Sequence, residues 1–233
     1  MKNIVTFCFD VISPYSYFAF ESILKYNEEW NADLNIVPVT LQQILVDTGN
    51  PSPYSIPSKF DYYVEDMERA AKLFNVPFKG MPEEMPESTT LAQQVLTLTK
   101  KKHPDLLIKF TRGLFEALWI DGKDLSQAQV LIDELTSLGL TDSATFVDEA
   151  GGVQVRDELI AVTKRTVARG IFGVPSTFVY RPDGMEGFFF GSDRLEHICY
   201  FLGTKYNGPH GPSPLSPINP PKPPPAVLVQ KVD

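Results

Sequence analysis

An uncharged, β-prone run at residues 4–9 is followed shortly by a helical pattern that opens with Ser13-Pro14. The run predicts a short strand that is buried on both faces. Serine is preferred at a helix N-cap and proline at the first helical position, so the helix is expected to begin here. Since the free amides and the dipole of a helix start favour negative charge, the hydroxyl of Ser13 is placed to donate to an anion such as a thiolate.

Composition limits the class of protein. The chain has 233 residues, 43% of them apolar, which suits one large domain or two small ones. A net charge of −8 without a basic run argues against nucleic acid as a partner. No apolar run approaches the ~20 residues of a membrane span, and the first strand begins too early to leave room for a targeting peptide. We therefore expect an intracellular protein, and a cytoplasmic location first.

The two cysteines, Cys8 and Cys199, lie far apart in the sequence and are expected to be small buried apolar side chains. The three histidines are scattered as well. The pattern therefore predicts neither a metal site nor a disulfide framework, and it suits a reducing compartment.

The order of the predicted elements is informative. A second strand at residues 34–39 completes a strand–helix–strand unit, which implies a parallel pair with a right-handed crossover. From about residue 60 to 169 the apolar residues follow the helical period in six segments. Residues 173–180 and 186–190 then predict a β-hairpin, and a last helix follows.

Capping residues predict where some of these helices begin. Ser126 is expected to be the N-cap of one inserted helix. Asp193 is expected to cap the last helix, with Glu196 completing a capping box. The proline-rich residues 49–59 are expected to form a loop.

These elements predict an α/β protein with a thioredoxin-like sheet that is split by a long all-helical insertion. We expect a discontinuous sheet domain at residues 1–58 and 170–207, and an inserted helical domain at residues 59–169. Residues 208–233 contain nine of the chain's twenty prolines and are expected to form an extended or disordered tail.

In a sheet of this kind the loop after the first strand faces the turn before the third. Ser13 should therefore lie near the Val174-Pro175 peptide. A proline that opens a central strand is unusual, and a cis bond accommodates it. We predict that Val174-Pro175 is cis, with the Val174 backbone free to pair with an extended peptide.

Four short segments, in this order along the chain, resemble kappa-class glutathione transferases: residues 10–16 (DVISPYS), 47–50 (DTGN), 170–175 (GIFGVP) and 190–194 (FGSDR). That class belongs with the DsbA-like thioredoxin proteins and the 2-hydroxychromene-2-carboxylate isomerases. The resemblance covers roughly residues 3 to 209. Disulfide oxidoreductases of this fold carry C-x-x-C at the helix start, whereas this chain has Ser13 and Ser16, so exchange through that motif is excluded.

The resemblance implies that glutathione is the co-substrate and supplies the thiol. Ser13 would be the catalytic residue, donating to the sulfur and stabilising the thiolate. The residues that would bind the rest of the tripeptide are Asn50, Lys59, Val174, Pro175, Ser192 and Asp193.

Each assigned role has a chemical reason. Val174 would pair with the cysteinyl backbone, and Ser192 and Asp193 would hold the γ-glutamyl end. Asn50 and Lys59 would meet the tripeptide, with Lys59 on a carboxylate. Taken alone, Lys59 is typical of a surface lysine, Asn50 of a turn and Ser192-Asp193 of a helix cap.

The second substrate is expected to be a small, apolar electrophile, walled by Tyr17 and the aromatic residues of the helical insertion. Three functions fit these residues: a glutathione S-transferase with a detoxification role, a glutathione-dependent isomerase that returns glutathione unchanged, and a glutathione- or peptide-binding protein without turnover. The resemblance also implies a homodimer, and it leaves a mitochondrial or peroxisomal location open beside the cytoplasmic one.

Overall fold

The computed structural model describes residues 1–209 and 211, and within them the strands form one four-stranded sheet. The strands are β1 (Asn3–Phe9), β2 (Ala32–Pro38), β3 (Ser176–Tyr180) and β4 (Glu186–Phe190). Their order across the sheet is β2-β1-β3-β4. β1 and β2 are parallel, while β1 with β3 and β3 with β4 are antiparallel. The predicted strand–helix–strand unit and the predicted hairpin are both confirmed.

Nine α-helices accompany the sheet in the described part of the chain, and most of them lie between β2 and β3. They are α1 (Pro14–Tyr26), α2 (Leu41–Thr48), α3 (Pro57–Phe74), α4 (Thr90–Lys102), α5 (Leu107–Trp119), α6 (Ala128–Ser137), α7 (Ser143–Ala150), α8 (Val153–Ala168) and α9 (Leu195–Leu202). This is the predicted sheet with a helical insertion. The predicted domain boundaries stay a prediction. The inserted domain was predicted to begin at residue 59, and α3, its first helix, begins two residues earlier, at Pro57.

The core joins the sheet to the insertion through aromatic rings. Phe7 and Phe9 of β1 stack with their centroids 5.7 Å apart, and Phe9 lies 5.9 Å from Phe115 of α5. Phe20 of α1 contacts Phe115 as well, at 5.7 Å. The first strand, the first helix and the insertion therefore share one apolar core, which fixes the end of β1 relative to the inserted helices.

The start of α1 agrees with the sequence. Ser13 is the N-cap, with extended backbone, and its Oγ accepts a hydrogen bond of 3.2 Å from the amide of Ser16. Pro14 occupies the first helical position. The loop from β1 therefore ends with the amide groups of a helix start, as predicted.

Two predicted N-caps are wrong. Ser126 donates its hydroxyl and its amide to the carboxylate of Asp124, at 2.8 and 2.9 Å, and α6 begins only at Ala128. Asp193 lies inside a short 3-10 turn, where its carboxylate binds Arg194 at 2.6 Å, and Arg194 precedes α9 as its N-cap. In both places the expected capping residue bonds instead to a neighbouring charged side chain.

Helix boundaries near residue 50 also differ from the prediction. α2 was not predicted, because only Ile44 among its residues is buried and its apolar pattern is correspondingly short. α3 begins at Pro57, inside the predicted loop, with proline at the first helical position. The predicted loop is therefore confined to the residues between these two helices.

The chain after α9 returns along α1. The hydroxyl of Tyr26 donates to the carbonyl of Gly208 at 2.6 Å and accepts from the amide of Asn207 at 2.8 Å. The extended or disordered tail was predicted for residues 208–233. Of these, residues 210 and 212–233 lie outside the described part of the chain. No helix of the described chain is long and apolar enough to cross a membrane.

Candidate active site

A cavity of about 620 Å³ opens where the end of β1, the start of α1 and the loop before β3 meet. α3 and the segment that precedes it close its far side. Six of the eight predicted site residues line it, namely Ser13, Asn50, Val174, Pro175, Ser192 and Asp193. Four separate segments of the chain supply them, so the fold brings together residues that lie far apart in the sequence.

Ser13 sits at the base of this cavity and is 5% exposed. Its backbone amide donates to the carbonyl of Asp10 at 3.0 Å, which fixes the loop that carries it. Because its Oγ uses a lone pair for the Ser16 amide, the hydroxyl hydrogen stays available to donate. The chemistry offered here is that of a hydrogen-bond donor beside a helix N-terminus, which stabilises an anion.

Asp10 supports the Ser13 loop from below and was not predicted as a site residue. It is 1% exposed, and its Oδ1 accepts from the amide of Ile12 at 3.1 Å and the hydroxyl of Thr89 at 2.7 Å. Its Oδ2 accepts from the amide of Leu41 at 2.9 Å. Burial raises the pKa of Asp10, while these hydrogen bonds act to lower it. One carboxylate therefore connects the loop before α1 to the starts of α2 and α4.

Gln93 of α4 is a second buried anchor for the same region. Its Nε2 donates to the carbonyl of Phe9 at 2.8 Å and to that of Val39 at 2.7 Å, where β1 and β2 end. The indole of Trp119 donates to the carbonyl of Val11 at 3.1 Å. The inserted helices therefore satisfy backbone carbonyls of the loop that leads to Ser13, which holds that loop rigid.

The loop before β3 forms the opposite wall. The Val174-Pro175 peptide bond is cis, in agreement with the prediction. Asn50 donates its side-chain amide to the carbonyl of Phe172 at 2.8 Å, and the amide of Gly191 donates to the carbonyl of Pro175 at 2.9 Å. Within the described residues the amide and carbonyl of Val174 have no hydrogen-bond partner. This backbone is held from both sides and can pair with an extended peptide.

The turn that carries Ser192 and Asp193 closes one end of the cavity. Ser192 is 6% exposed, and Asp193 is exposed. Gly191 precedes them with φ of +103°, and a Cβ at that position would lie 2.7 Å from Asp193 Oδ1. The backbone conformation therefore favours glycine here, and a Cβ would displace the Asp193 carboxylate.

The remaining wall is aromatic; aromatic residues of the insertion were expected here, but apart from Tyr17 none was named. It consists of four tyrosines and a charged pair on α3, namely Tyr15, Tyr54, Tyr62, Tyr63, Asp66 and Arg69. The rings of Tyr15 and Tyr63 meet edge to face at 5.3 Å, as do those of Tyr54 and Tyr63 at 5.2 Å. A sequence signal existed, since Tyr15 immediately follows Ser13-Pro14 and α3 contributes Tyr62, Tyr63 and Asp66 within one turn.

The prediction that Tyr17 walls the second-substrate site is wrong. Tyr17 is 1% exposed, and its ring stacks on Phe115 in the core at 5.0 Å. Two residues along a helix rotate a side chain by about 200°, so Tyr17 faces the core while Tyr15 faces the cavity. Lys59 is exposed on the first turn of α3 and is not among the residues that line the cavity, so its role stays a prediction.

Both cysteines are buried and free. Burial raises the pKa of Cys8 to about 12 and also raises that of Cys199. Neither cysteine lines the cavity. Within residues 1–209 and 211, no three His, Cys, Asp or Glu side chains gather closely enough to hold a metal ion.

Residues 4–203 match the family model described as a DSBA-like thioredoxin domain. Glutathione S-transferase kappa 1 of Rattus norvegicus is 31% identical over 86% of this chain and 91% of its own length. A 2-hydroxychromene-2-carboxylate isomerase of Pseudomonas sp. (strain C18) is 26% identical over 82% of this chain and 86% of its own length. A solved structure of a 2-hydroxychromene-2-carboxylate isomerase superposes with a TM-score of 0.73 at 22% identity, covering 86% of this chain and 94% of that one.

Proposed function

Because the chain belongs to the DSBA-like thioredoxin family, and within it to the kappa-class glutathione transferases, we propose that its cavity binds glutathione and activates the thiol for attack on an electrophile. The observation that carries this proposal is the position of Ser13, a donor at a helix start that lines the same cavity as the unpaired Val174 backbone. A cysteinyl residue paired with Val174 would present its sulfur towards Ser13. The second substrate is a small, apolar electrophile, in keeping with a detoxification role.

The other ends of the tripeptide have chemically suitable partners. The γ-glutamyl end carries an ammonium and a carboxylate, which suit the Asp193 carboxylate and the hydroxyl and amides of the Ser192 turn. Asn50 holds the loop before β3 through Phe172, so its contribution to glutathione binding includes the shape of that loop. We assign Lys59 to the remaining carboxylate as a contact that closes over the bound tripeptide.

The energy required of Ser13 is moderate. A thiol with a pKa of about 8.5 is only a few per cent ionised at neutral pH. Lowering that pKa by about two units requires about 2.7 kcal/mol of preference for the thiolate. A hydrogen bond to a charged group contributes about 1.5–3 kcal/mol, and a helix N-terminus adds about 0.3–1 kcal/mol. The two together have the required size.

The test is Ser13→Ala, which removes the hydroxyl and leaves the cavity open. We expect the pKa of the bound glutathione thiol, followed by the ultraviolet absorbance of the thiolate, to rise by one to two units, and conjugation at neutral pH to fall by about 10- to 100-fold. Glutathione affinity should change only a few-fold, since the other contacts remain. The matched control is Ser137→Ala, an exposed serine at the end of α6. An unchanged thiol pKa and a full conjugation rate in Ser13→Ala would contradict the assignment.

A glutathione-dependent isomerase is the second candidate, since a relative that is 26% identical is a 2-hydroxychromene-2-carboxylate isomerase. The same thiolate would add to the substrate, the adduct would rearrange, and glutathione would leave unchanged. Ser13 serves both reactions, so its substitution does not separate them. Product analysis does, because only the transferase consumes glutathione in proportion to product.

We also infer a homodimer in a reducing intracellular compartment. The free, buried state of Cys8 and Cys199 supports that compartment. Phe172, Phe188 and Phe190 form an exposed aromatic face beside the cavity, and each is about 40% exposed. An apolar face of this kind supports association with a second copy of the chain.

A further inference from the structure

The aromatic wall of the cavity contains a polar connection between the sheet part of the chain and the insertion. The hydroxyl of Tyr15, on the first turn of α1, donates to Asp66 Oδ2 on α3 at 2.5 Å. Tyr15 is two residues from Ser13, and both side chains line the cavity. The bond therefore lies in the wall of the same cavity that Ser13 lines.

Asp66 is shared by further groups of α3. Its Oδ1 accepts from the hydroxyl of Tyr62 at 3.2 Å, and Arg69 Nε lies 3.9 Å from the same oxygen. The Asp66 side chain is 30% exposed, so the bond from Tyr15 forms in a partly desolvated place. Charge-assisted bonds of this kind are stronger than those between neutral groups.

Tyr15 acts here as a fixed donor. Burial raises its pKa, and the hydrogen bond to the Asp66 carboxylate raises it further. The phenol therefore stays protonated at neutral pH and remains the donor to Asp66. Its hydroxyl proton is used in the bond to Asp66, so its contribution is to hold α3 against the start of α1.

We propose that the Tyr15–Asp66 hydrogen bond positions the wall of the second-substrate site, because it holds α3 against the start of α1. Tyr15 and Asp66 thereby set the affinity for the electrophile and leave the affinity for glutathione unchanged. This inference rests on the proposed transferase activity of the same cavity. The residues assigned to glutathione lie on the Ser13 loop, the loops before β3 and after β4, and the segment around Asn50. None of them hydrogen-bonds to Tyr15 or Asp66 in the described chain.

The experiment uses the full chain with a chlorodinitrobenzene as the electrophile, and it measures KM for each substrate, kcat and the glutathione Kd. Tyr15→Phe keeps the ring and removes the donor, and Asp66→Leu keeps the branching at Cγ and removes the acceptor. In each we expect the electrophile KM to rise about tenfold, with kcat and the glutathione Kd within about twofold. The double variant should be no worse than Asp66→Leu alone, because Tyr15→Phe removes a bond that Asp66→Leu has already removed.

Two further variants separate this role from a general structural one. Asp66→Asn keeps an acceptor oxygen and should recover most of the electrophile affinity. Tyr17→Phe is the matched control, since it removes a phenol hydroxyl from the same helix on its core-facing side and should leave all constants unchanged. Thermal unfolding of every variant checks that each is folded.

The outcomes are distinguishable. An electrophile KM that stays unchanged in folded Tyr15→Phe and Asp66→Leu overturns the inference, and so does a loss of glutathione affinity of equal size. Additive losses in the double variant overturn it too, because they assign the two residues separate roles. If the unmodified protein neither binds glutathione nor turns over, the proposed function itself fails, and the inference fails with it.

Discussion

Asp10 provides the sharpest test of how the Ser13 loop is held. Asp10→Ala removes a carboxylate that accepts from the amides of Ile12 and Leu41 and from the hydroxyl of Thr89. The site is 1% exposed, so water does not replace the lost acceptor freely. Three donors in three different segments would lose their partner at once.

The magnitude follows from those three donors. A buried donor that is left without a partner costs about 1–3 kcal/mol. The hydroxyl of Thr89 can rotate towards another acceptor, so it counts at the low end, while the two backbone amides cannot move independently. The sum is about 4 kcal/mol, a large share of the roughly 5–15 kcal/mol that stabilises a typical domain. For a chain of this size it corresponds to a fall in Tm of about 10 °C.

The assay is urea unfolding at equilibrium, followed by circular dichroism, with the free energy of unfolding taken from linear extrapolation. The control is Asp33→Ala, in which an aspartate with a side chain 68% exposed loses a surface ion pair with Lys2. That variant should lose less than about 1 kcal/mol. If Asp10→Ala loses no more than the control, the hydrogen bonds of Asp10 do not hold the loop in the way described.

Two further predictions concern other parts of the molecule. Burial raises the pKa of Cys8 to about 12 and also raises that of Cys199. Both thiols therefore stay protonated in the native state at about pH 8, where a free thiol begins to ionise. We expect iodoacetamide to modify them only after denaturant is added, and mass spectrometry would show this. Gly191→Ala should weaken glutathione binding by about tenfold in a calorimetric titration, because a Cβ there meets Asp193 and the backbone conformation disfavours alanine. Gly184→Ala is its control, since it has a similar φ of +88° in open space at the hairpin turn, so it should lose stability but not affinity.

Local signals in the sequence predicted the parts of the fold that depend on neighbours along the chain. The start of α1 at Ser13-Pro14 depends on the capping chemistry of adjacent residues, and the strands depend on short apolar runs. These elements form as predicted. The cap at Ser126 was wrong for the same kind of reason, because Asp124, two residues away, binds the serine more directly.

The parts that the sequence did not predict depend on contacts between distant residues. The role of Asp10 requires Leu41 and Thr89 to arrive at the same point, which no local pattern indicates. Tyr15 and Tyr17 are equally aromatic in the sequence, and only the packing of Phe115 decides which of them faces the core. The motif residues line one cavity, whereas the aromatic residues that complete its wall could be identified only from the fold.

Ser13, the N-cap of α1, and Ser16, on its first turn, occupy the two positions at which disulfide oxidoreductases of this fold carry cysteine. Residues three apart on a helix project towards the same side, and the Ser16 amide already lies 3.2 Å from Ser13 Oγ. Cysteines at these two positions would have the C-x-x-C spacing in the sequence that a dithiol redox pair uses at a helix start. Two serine-to-cysteine substitutions therefore separate this helix start from one that carries its own dithiol.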